Sequence, residues 1–494
     1  MILHPSKQEF IKLAKKGNLI PVYTEVLADF ETPLSAYDKI GSADYSFLLE
    51  SVEGGERIAR YSFLGASPSV IFSSRSGSVT IKEGRSSKTF LSEDPIEELK
   101  RLLSRYKFVK VGGLPRFSGG LVGFFGYDMV RFIETIPDGN PDTLDLPDSV
   151  FMLTDTILIF DHVDHKIKVV SNAHIKNSAS AAYDDARAKI AKLVSSIKGP
   201  DARSKPGMTG KKKIKSPSVS SNFTKRSFEE AVNKAKRYIK AGDIIQVVLS
   251  QRLKARTGSD PFQIYRALRS INPSPYMYHL KMGGFSLVGS SPEIMVRCED
   301  GNVELRPIAG TRRRGASEEE DARLQRELLA DPKERAEHIM LVDLGRNDIG
   351  KVCDYSSVKV SELMTVEKYS HVMHIVSDVS GRLRKGKDVF DVIRATIPAG
   401  TVTGAPKVRA MEIIDELENV RRSTYAGSVG YFSFSGNLDC CITIRTILIK
   451  GNTAYIQAGA GIVADSVPSR EYKETMNKAG ALLKALEMAE GGLD

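Results

Sequence analysis

Between residues 198 and 222 the sequence runs through Gly, Pro, Ser and Lys and holds few large apolar side chains. A stretch of that composition cannot fill a core, so it predicts a linker or long loop. The full 494 residues are too many for one ordinary core. The expectation is two units, an N-terminal one over 1–198 and a second over 223–494, joined by 199–222. No short-period repeat divides either further.

Each unit mixes strands and helices. Residues 153–160 and 166–170 read as strands. Asp94 and Pro95 open a helix that sets Ile96, Leu99, Leu102 and Leu103 on one face. In the second unit Ser227 and Glu230 read as a capping box, Gly242 as the helix stop, and 243–251 as the strand that follows. Residues 431–434 and 440–449 read as a hairpin around 435–437. Asp331 and Pro332 start another helix, which ends in the charged run 343–348. A final helix follows Pro468, with Ala479, Leu482, Leu483 and Leu486 as its apolar face. Helices interrupt the strands irregularly, which argues for a layered α+β fold rather than a parallel βα repeat.

The net charge of +10 is dispersed except at Lys211, Lys212 and Lys213. Basic residues interleaved with stacking aromatics are missing, which argues against nucleic acid. A positive field would instead steer a small dianion. The four cysteines show no CxxC spacing and read as buried, reduced thiols. No apolar run is long enough to span a bilayer, and residues 1–19 lack the apolar core and cleavage site of a signal peptide. The expected compartment is the cytoplasm. No Gly-x-Ser-x-Gly or Gly-x-Cys-x-Gly elbow supplies a nucleophile for acyl transfer, so the chain is not expected to hydrolyse glutamine by itself.

Several residues carry possible chemistry. Gln246 is a lone amide in an otherwise apolar strand and needs a partner, either structural or functional. Glu337 shares a helical stripe with Leu341 and Leu344, where a carboxylate wants a cation or a metal. Glu471, Glu474 and Lys478 line one stripe of the last helix and read either as a solvated face or as part of an Mg²⁺ site, which needs few protein ligands. Three Gly-rich stretches accompany them. Residues 400–406 lead into a helix whose N–H groups could hold an anion. Residues 309–311 follow a strand. Residues 459–464 fit a GxGxxA pattern after a strand, but with one helix left and no second strand a dinucleotide site is rejected. Arg445 reads as mid-strand, facing either a structural carboxylate or a substrate one. His371 and His374 lack a third metal ligand, so one general acid or base beside a bystander is the expectation.

Taken together, GDIIQVVLSQR (242–252), NPSPYMYHL (272–280), RPIAGTR (306–312), EHIMLVDLGRND (337–348), SHVMH (370–374), PAGTVTGAPK (398–407), CITIRT (441–446) and QAGAGIVADS (457–466) resemble the chorismate-utilising enzymes. FLLESVEGGERIARYSFLG (47–65) and GGLVGFFGYD (119–128) add the first half. The resemblance is strongest to the large, aminating subunits of anthranilate synthases. It implies a layered α/β/β/α core with large, mostly antiparallel sheets. Isochorismate- and salicylate-forming members carry Lys where this chain has Gln246, and aminodeoxychorismate synthases carry Lys where it has Ala309. Both lysines are missing, which leaves ammonia as the nucleophile; aminodeoxychorismate synthase component I of the folate pathway is the alternative.

The resemblance further implies roles by position. Glu337 and Glu474 would hold Mg²⁺. Gly310, Thr311, Tyr425, Arg445, Gly459, Ala460 and Gly461 would bind chorismate. Glu293 would be general acid for the departing C4 hydroxyl, His374 would serve pyruvate elimination, and Thr401 would sit in the adjacent loop. Ser51, Pro275, Tyr276 and Met277 would bind tryptophan as feedback inhibitor, making 1–198 regulatory and 223–494 catalytic. Ammonia would come from a separate glutamine amidotransferase subunit, in a heterotetramer of two large and two small subunits committing chorismate to tryptophan. The absence of any Trp fits an enzyme that avoids needing its own pathway's end product.

Overall fold

The computed structural model describes residues 1–51, 60–199, 218–369 and 372–493. Lys211 to Lys213, most of 199–222, and His371 lie outside the described residues. At the linker's end Val219–Ser221 pairs as a short strand with Gln246–Arg256.

Two large antiparallel sheets stack face to face. The first runs, in spatial order, Leu19–Leu27, Lys166–His174, Thr156–Asp161, Tyr61–Ala66, Tyr45–Glu50, Tyr276–Met282, Phe285–Ser291, Thr446–Lys450, Thr453–Ile462, Gln246–Arg256 and Val219–Ser221. The second runs Ile308–Arg313, Val372–Arg382, Asn302–Leu305, Ile294–Glu299, Leu438–Ile442, Ser428–Ser433, Gly120–Phe125, Ser149–Thr154, Val70–Arg75, Ser78–Glu83 and Ser86–Leu91. Both are continuous across the two sequence halves: Tyr45–Glu50 pairs with Tyr276–Met282, and Gly120–Phe125 with Ser428–Ser433.

The largest packed cores among the described residues follow from this stacking. Phe47, Phe124, Tyr278, Leu287 and Val429 fill the space between the sheets. Helices Ala179–Lys198, Pro261–Ile271 and Pro468–Gly491 bury Ile190, Tyr265, Leu268 and Leu482 against the outer face of the first sheet. Helices Pro95–Ser104, Pro332–Gly350 and Val389–Thr396 bury Leu99, Val342 and Ile393 against the second. This is the expected α/β/β/α order. Fully burying one such aromatic or aliphatic side chain contributes about 1.5–3 kcal/mol.

Double-sided burial also explains where sequence periodicity misleads. The run 153–160 is not one strand: Ser149–Thr154 ends in the second sheet, and Thr156–Asp161 begins in the first. The run 440–449 likewise divides into Leu438–Ile442 and Thr446–Lys450, one in each sheet. Strands covered on both faces read as continuous apolar runs, so the change of sheet leaves no break in the pattern. Arg445 is therefore not mid-strand. It sits at the crossing with φ +50, a region that a non-glycine residue rarely adopts.

Other boundaries shift for local reasons. The capping box lies one turn earlier, between Thr224 and Ser227, at the head of Lys225–Ala241. Gly242 closes that helix at φ +87. The next strand begins at Gln246 rather than 243, because Asp243 pairs with Arg409 at 2.8 Å and Ile245 is exposed. The helix expected to end in a charged run continues to Gly350, with Asp348 buried against Lys407 at 2.6 Å. Residues 459–462 lie inside Thr453–Ile462, not in a turn after it.

Candidate active site

A cavity of about 650 Å³ draws its wall from both sheets and from two helices. Gln246 comes from the strand Gln246–Arg256, and Gly459 and Gly461 from its partner Thr453–Ile462. Ala309, Gly310, Thr311 and His374 come from the second sheet. Glu334 and Glu337 enter from Pro332–Gly350, and Glu471, Glu474 and Lys478 from Pro468–Gly491. The crossings between sheets supply Pro292 and Glu293 on one side and Ile444 and Arg445 on the other.

Backbone geometry shapes this wall. A cavity-facing Cβ on Gly461 would stand 2.7 Å from the Gln246 amide nitrogen, and one on Gly459 would stand 2.7 Å from the Tyr425 hydroxyl. The glycines thus let the strand pass directly beneath the groups it faces. Gly310, at φ +65, forms a bulge in the register between Ala309 and Thr311. Its carbonyl accepts a hydrogen bond from His374 Nδ1 at 2.9 Å.

The charges are incompletely matched. Gln246 Nε2 donates to Glu337 Oε1 at 2.9 Å, while the Gln246 carbonyl oxygen is buried with no partner. A carboxylate only accepts, so this bond fixes the amide's orientation. Burial pushes the Glu337 carboxyl above its ordinary value; Gln246 opposes the shift, and the like charges of Glu334 and Glu474 add to it. Glu474 pairs with Lys478 at 2.7 Å, and Lys478 also donates to the Gly459 carbonyl at 3.0 Å. Burial raises Glu471 as well. Glu293 is pushed up to about 7 by burial, with the Thr401 hydroxyl and the charge of Lys478 pulling the other way. Burial lowers His374, the Gly310 carbonyl opposing. Since Nδ1 donates to that carbonyl, the neutral ring presents the Nε2 lone pair. Arg445 donates through Nη1 to the Lys478 carbonyl at 2.6 Å and keeps the rest of its fork for the cavity.

The described residues contain no group of three or more His, Cys, Asp or Glu side chains set to hold a metal. The acids lining the cavity outnumber its cations, Lys333, Lys478 and Arg445, although Glu474 pairs with Lys478 and Glu334 with Arg312 at 2.9 Å. Such hard oxygens suit a divalent cation that keeps water or substrate oxygens in its shell.

A second cavity of about 280 Å³ lies where the halves meet. Leu49, Glu50, Ser51, Arg60 and Phe63 face Pro275, Tyr276 and Met277 across it. Its charges are matched internally. Asp439 accepts from Tyr276 Oη at 2.8 Å and Arg297 Nε at 3.2 Å, and it pairs with Arg116 at 3.1 Å. Glu50 accepts from Tyr265 and pairs with Arg269 at 3.1 Å.

The first cavity gathers Gln246, Glu293, Ala309, Gly310, Thr311, Glu337, His374, Thr401, Tyr425, Arg445, Gly459, Gly461 and Glu474. The second gathers Ser51, Pro275, Tyr276 and Met277. Ala460 joins neither. Its neighbours on the strand face the cavity, so its own side chain points into the core with Val232 and Ile413. The helix after 400–406 does not present its N-terminus to the cavity either; Thr401 and Val402 line it instead. Glu471 and Lys478 line the cavity rather than a solvated face. Glu334 escapes notice in the sequence, although its i, i+3 spacing from Glu337 is a signal. Arg60, Arg297, Tyr431 and Asp439 of the second cavity give none.

Comparison with known proteins identifies the family. The family model described as chorismate binding enzyme matches residues 44–484. Anthranilate synthase component 1 of Acetivibrio thermocellus is 51% identical over 492 residues, covering 99% of both chains. The protein of the same name from Aquifex aeolicus is also 51% identical, again covering 99% of both. The crystal structure of anthranilate synthase component I from Streptococcus pneumoniae TIGR4 superposes with a TM-score of 0.78 at 37% identity, covering 87% of this chain and 93% of that one. With one family model spanning most of its length and such relatives matching it end to end, the chain belongs to the chorismate binding enzymes and, among them, to the anthranilate synthase component 1 family.

Proposed function

We propose that this chain catalyses the amination of chorismate to anthranilate, with ammonia delivered by a separate glutamine amidotransferase subunit. The observation that carries the reading is the pairing of Gln246 with Glu337 opposite the small Ala309. No lysine stands at either position to activate water or attack the ring. The unpartnered Gln246 carbonyl is an acceptor, and an acceptor suits an N–H of ammonia.

Glu337 and Glu474 would hold Mg²⁺, which when bound supplies positive charge to the ring carboxylate of chorismate. Arg445 and the backbone around Gly459 to Gly461 orient the carboxylates, beside Gly310, Thr311 and Tyr425. Glu293, protonated near neutral pH, gives its proton to the C4 hydroxyl as ammonia adds at C2, so that water leaves. His374 Nε2 then takes the C2 proton, the enolpyruvyl C–O bond breaks, and pyruvate departs as the ring becomes aromatic. The Thr401 hydroxyl, buried without a hydrogen-bond partner, lies beside Glu293 and opposes the rise of its pKa.

The second cavity would take tryptophan, with Ser51, Pro275, Tyr276 and Met277 in contact. The coupling route is covalent. Arg297 and Asp439 of this cavity lie on the strands that run into Glu293 and Arg445 of the other. Residues 1–198 would thus be regulatory and 223–494 catalytic, in a cytoplasmic assembly of two large and two small subunits. All four cysteines are buried and free, as a reducing compartment requires, and no helix of the described residues is long and apolar enough to cross a membrane.

Incubation with chorismate, Mg²⁺ and ammonium is expected to yield fluorescent anthranilate and equimolar pyruvate. A product that keeps its enolpyruvyl group would make the chain an aminodeoxychorismate synthase instead.

A further inference from the structure

Behind the wall of the first cavity lies a buried ionic cluster that has no part in the chemistry above. Arg422 is 2% exposed and Glu418 is 5% exposed. Arg422 Nε donates to Glu418 Oε2 at 3.0 Å and Nη2 to Oε1 at 2.6 Å. Nη1 also donates to the Val402 carbonyl, and Nη2 to the Val248 carbonyl, both at 2.7 Å. The guanidinium lies over the rings of Tyr425, at 5.5 Å, and of Tyr127 from the first half, at 5.0 Å. Glu418 is saturated too: Ser250 donates to it through its backbone N–H and its hydroxyl, both at 2.8 Å.

Every cavity element that Arg422 touches carries a group of the site. Val402 follows Thr401 in the turn that faces Glu293. Val248 lies two residues from Gln246, on the same face of its strand. Tyr425 lines the cavity directly. The chain segments bearing Thr401 and Gln246 are therefore tied to one planar, saturated group. A need for stability alone is poorly served by this arrangement, because apolar side chains of similar volume commonly replace a buried ion pair without loss. The two segments also bond directly, Val248 N–H to the Thr403 carbonyl at 2.8 Å; a fork with fixed donor directions adds what apolar packing cannot, a fixed orientation of the Val402 and Val248 carbonyls relative to the Tyr425 ring.

We propose that Arg422, with Glu418 as its counterion, is a positioning residue that fixes the spacing of the Gln246 strand, the Thr401 turn and the Tyr425 ring for chorismate amination. The inference rests on the reading of the cavity as the chorismate site.

The test compares Arg422→Lys, the double variant Glu418→Leu with Arg422→Met, and Tyr127→Leu, which removes one ring over the guanidinium without touching the cavity. Thermal midpoint, kcat, KM for chorismate at saturating ammonium, and the ratio of anthranilate to the released intermediate, aminated at C2 and still carrying its enolpyruvyl group, are measured for each. The folded Lys and double variants are expected to lose on the order of 10²-fold in kcat, as a misplacement near 1 Å would cause. They are also expected to release more of the intermediate. The double variant should keep a midpoint close to that of the parent. Tyr127→Leu should shift the product ratio in the same direction by less. Folded variants with parental kcat, KM and product ratio overturn the proposal. So do losses that track only the unfolded fraction, or three variants that all fail to fold, since each outcome describes a purely structural pair. The parent is assayed first. If it makes no anthranilate, the chorismate reading fails by itself, before any variant is compared.

Discussion

The cavity around Glu337 and the cavity around Tyr276 share two stretches of chain but treat charge in opposite ways. Around Tyr276 each described acid has a cation or hydroxyl within reach, as Asp439 does with Arg297, Arg116 and Tyr276. Around Glu337 the acids outnumber the cations, burial raises Glu337, Glu471 and Glu293, and a buried carbonyl is left unpartnered. Unmatched, perturbed groups are the mark of a site prepared for charge it does not itself carry. In the second cavity Arg116 Nε and Tyr431 Oη are buried without partners, but every described acid is matched, and matched acids between aromatic walls suit recognition of a small amphipathic ligand without chemistry.

Breaking the first cavity should have the largest effect. Glu337→Gln removes a carboxylate from the candidate Mg²⁺ site and is expected to cut turnover by roughly 10³-fold, several kcal/mol of transition-state stabilisation. Calorimetry should show tryptophan binding preserved; its loss would mean that the two cavities are not separate sites.

Glu293→Gln should follow, with kcat lower by roughly 10²-fold through loss of the proton donor. The sign of its pH dependence is fixed by its raised value of about 7 against an ordinary 4.5. As a general acid it works protonated, so in the parent kcat/KM falls as pH rises through about 7. Stability moves the same way. Below 4.5 the group is protonated in both states. As pH rises from 4.5 to 7 the unfolded chain releases the proton first, and the folded state loses up to about 3 kcal/mol. Denaturant titrations of Glu293→Gln should lack this slope; a slope unchanged from the parent assigns it to another group.

The smallest effect on turnover is expected in the second cavity. Ser51→Phe fills it, and the tryptophan inhibition constant should rise more than about tenfold, a loss of some 1.4 kcal/mol. Without tryptophan, kcat should stay within about twofold of the parent. Unchanged inhibition removes Ser51 from the effector site, and a large fall in kcat makes the second cavity part of the catalytic one.

Much of this arrangement is legible in the residues themselves. Gln246 stands out as one amide in an apolar strand, and Glu337 as one acid in an apolar stripe; each needs a partner, and the fold makes them partners of one another. The cap at Asp94 and the αL stop at Gly242 are written in local residue types and fall where those types place them. The side chain of Ala460 faces the core because a strand gives every second residue to the opposite face, so only its backbone stands between the two cavity glycines, which a glycine pattern by itself does not reveal. The Thr224 capping box is hidden because its N3 residue is Ser227 rather than Glu or Gln, whereas Ser227–Glu230 satisfies the local rule.

The chemistry on offer is a property of the residue string: which side chains are present, which lysines are missing, and the family that shares both. Where the chain changes sheet, at Asp155, at Pro292 and Glu293, and at Thr443 to Arg445, is settled by the stacking of the two sheets. Those crossings place Arg445 in its left-handed conformation and carry one stretch of chain past both cavities. The cause is burial on both faces of each strand. An apolar run under such cover has no periodicity to show which sheet it belongs to, and partners such as Gln246 and Glu337, or Tyr127 and Arg422, meet only once the sheets have stacked.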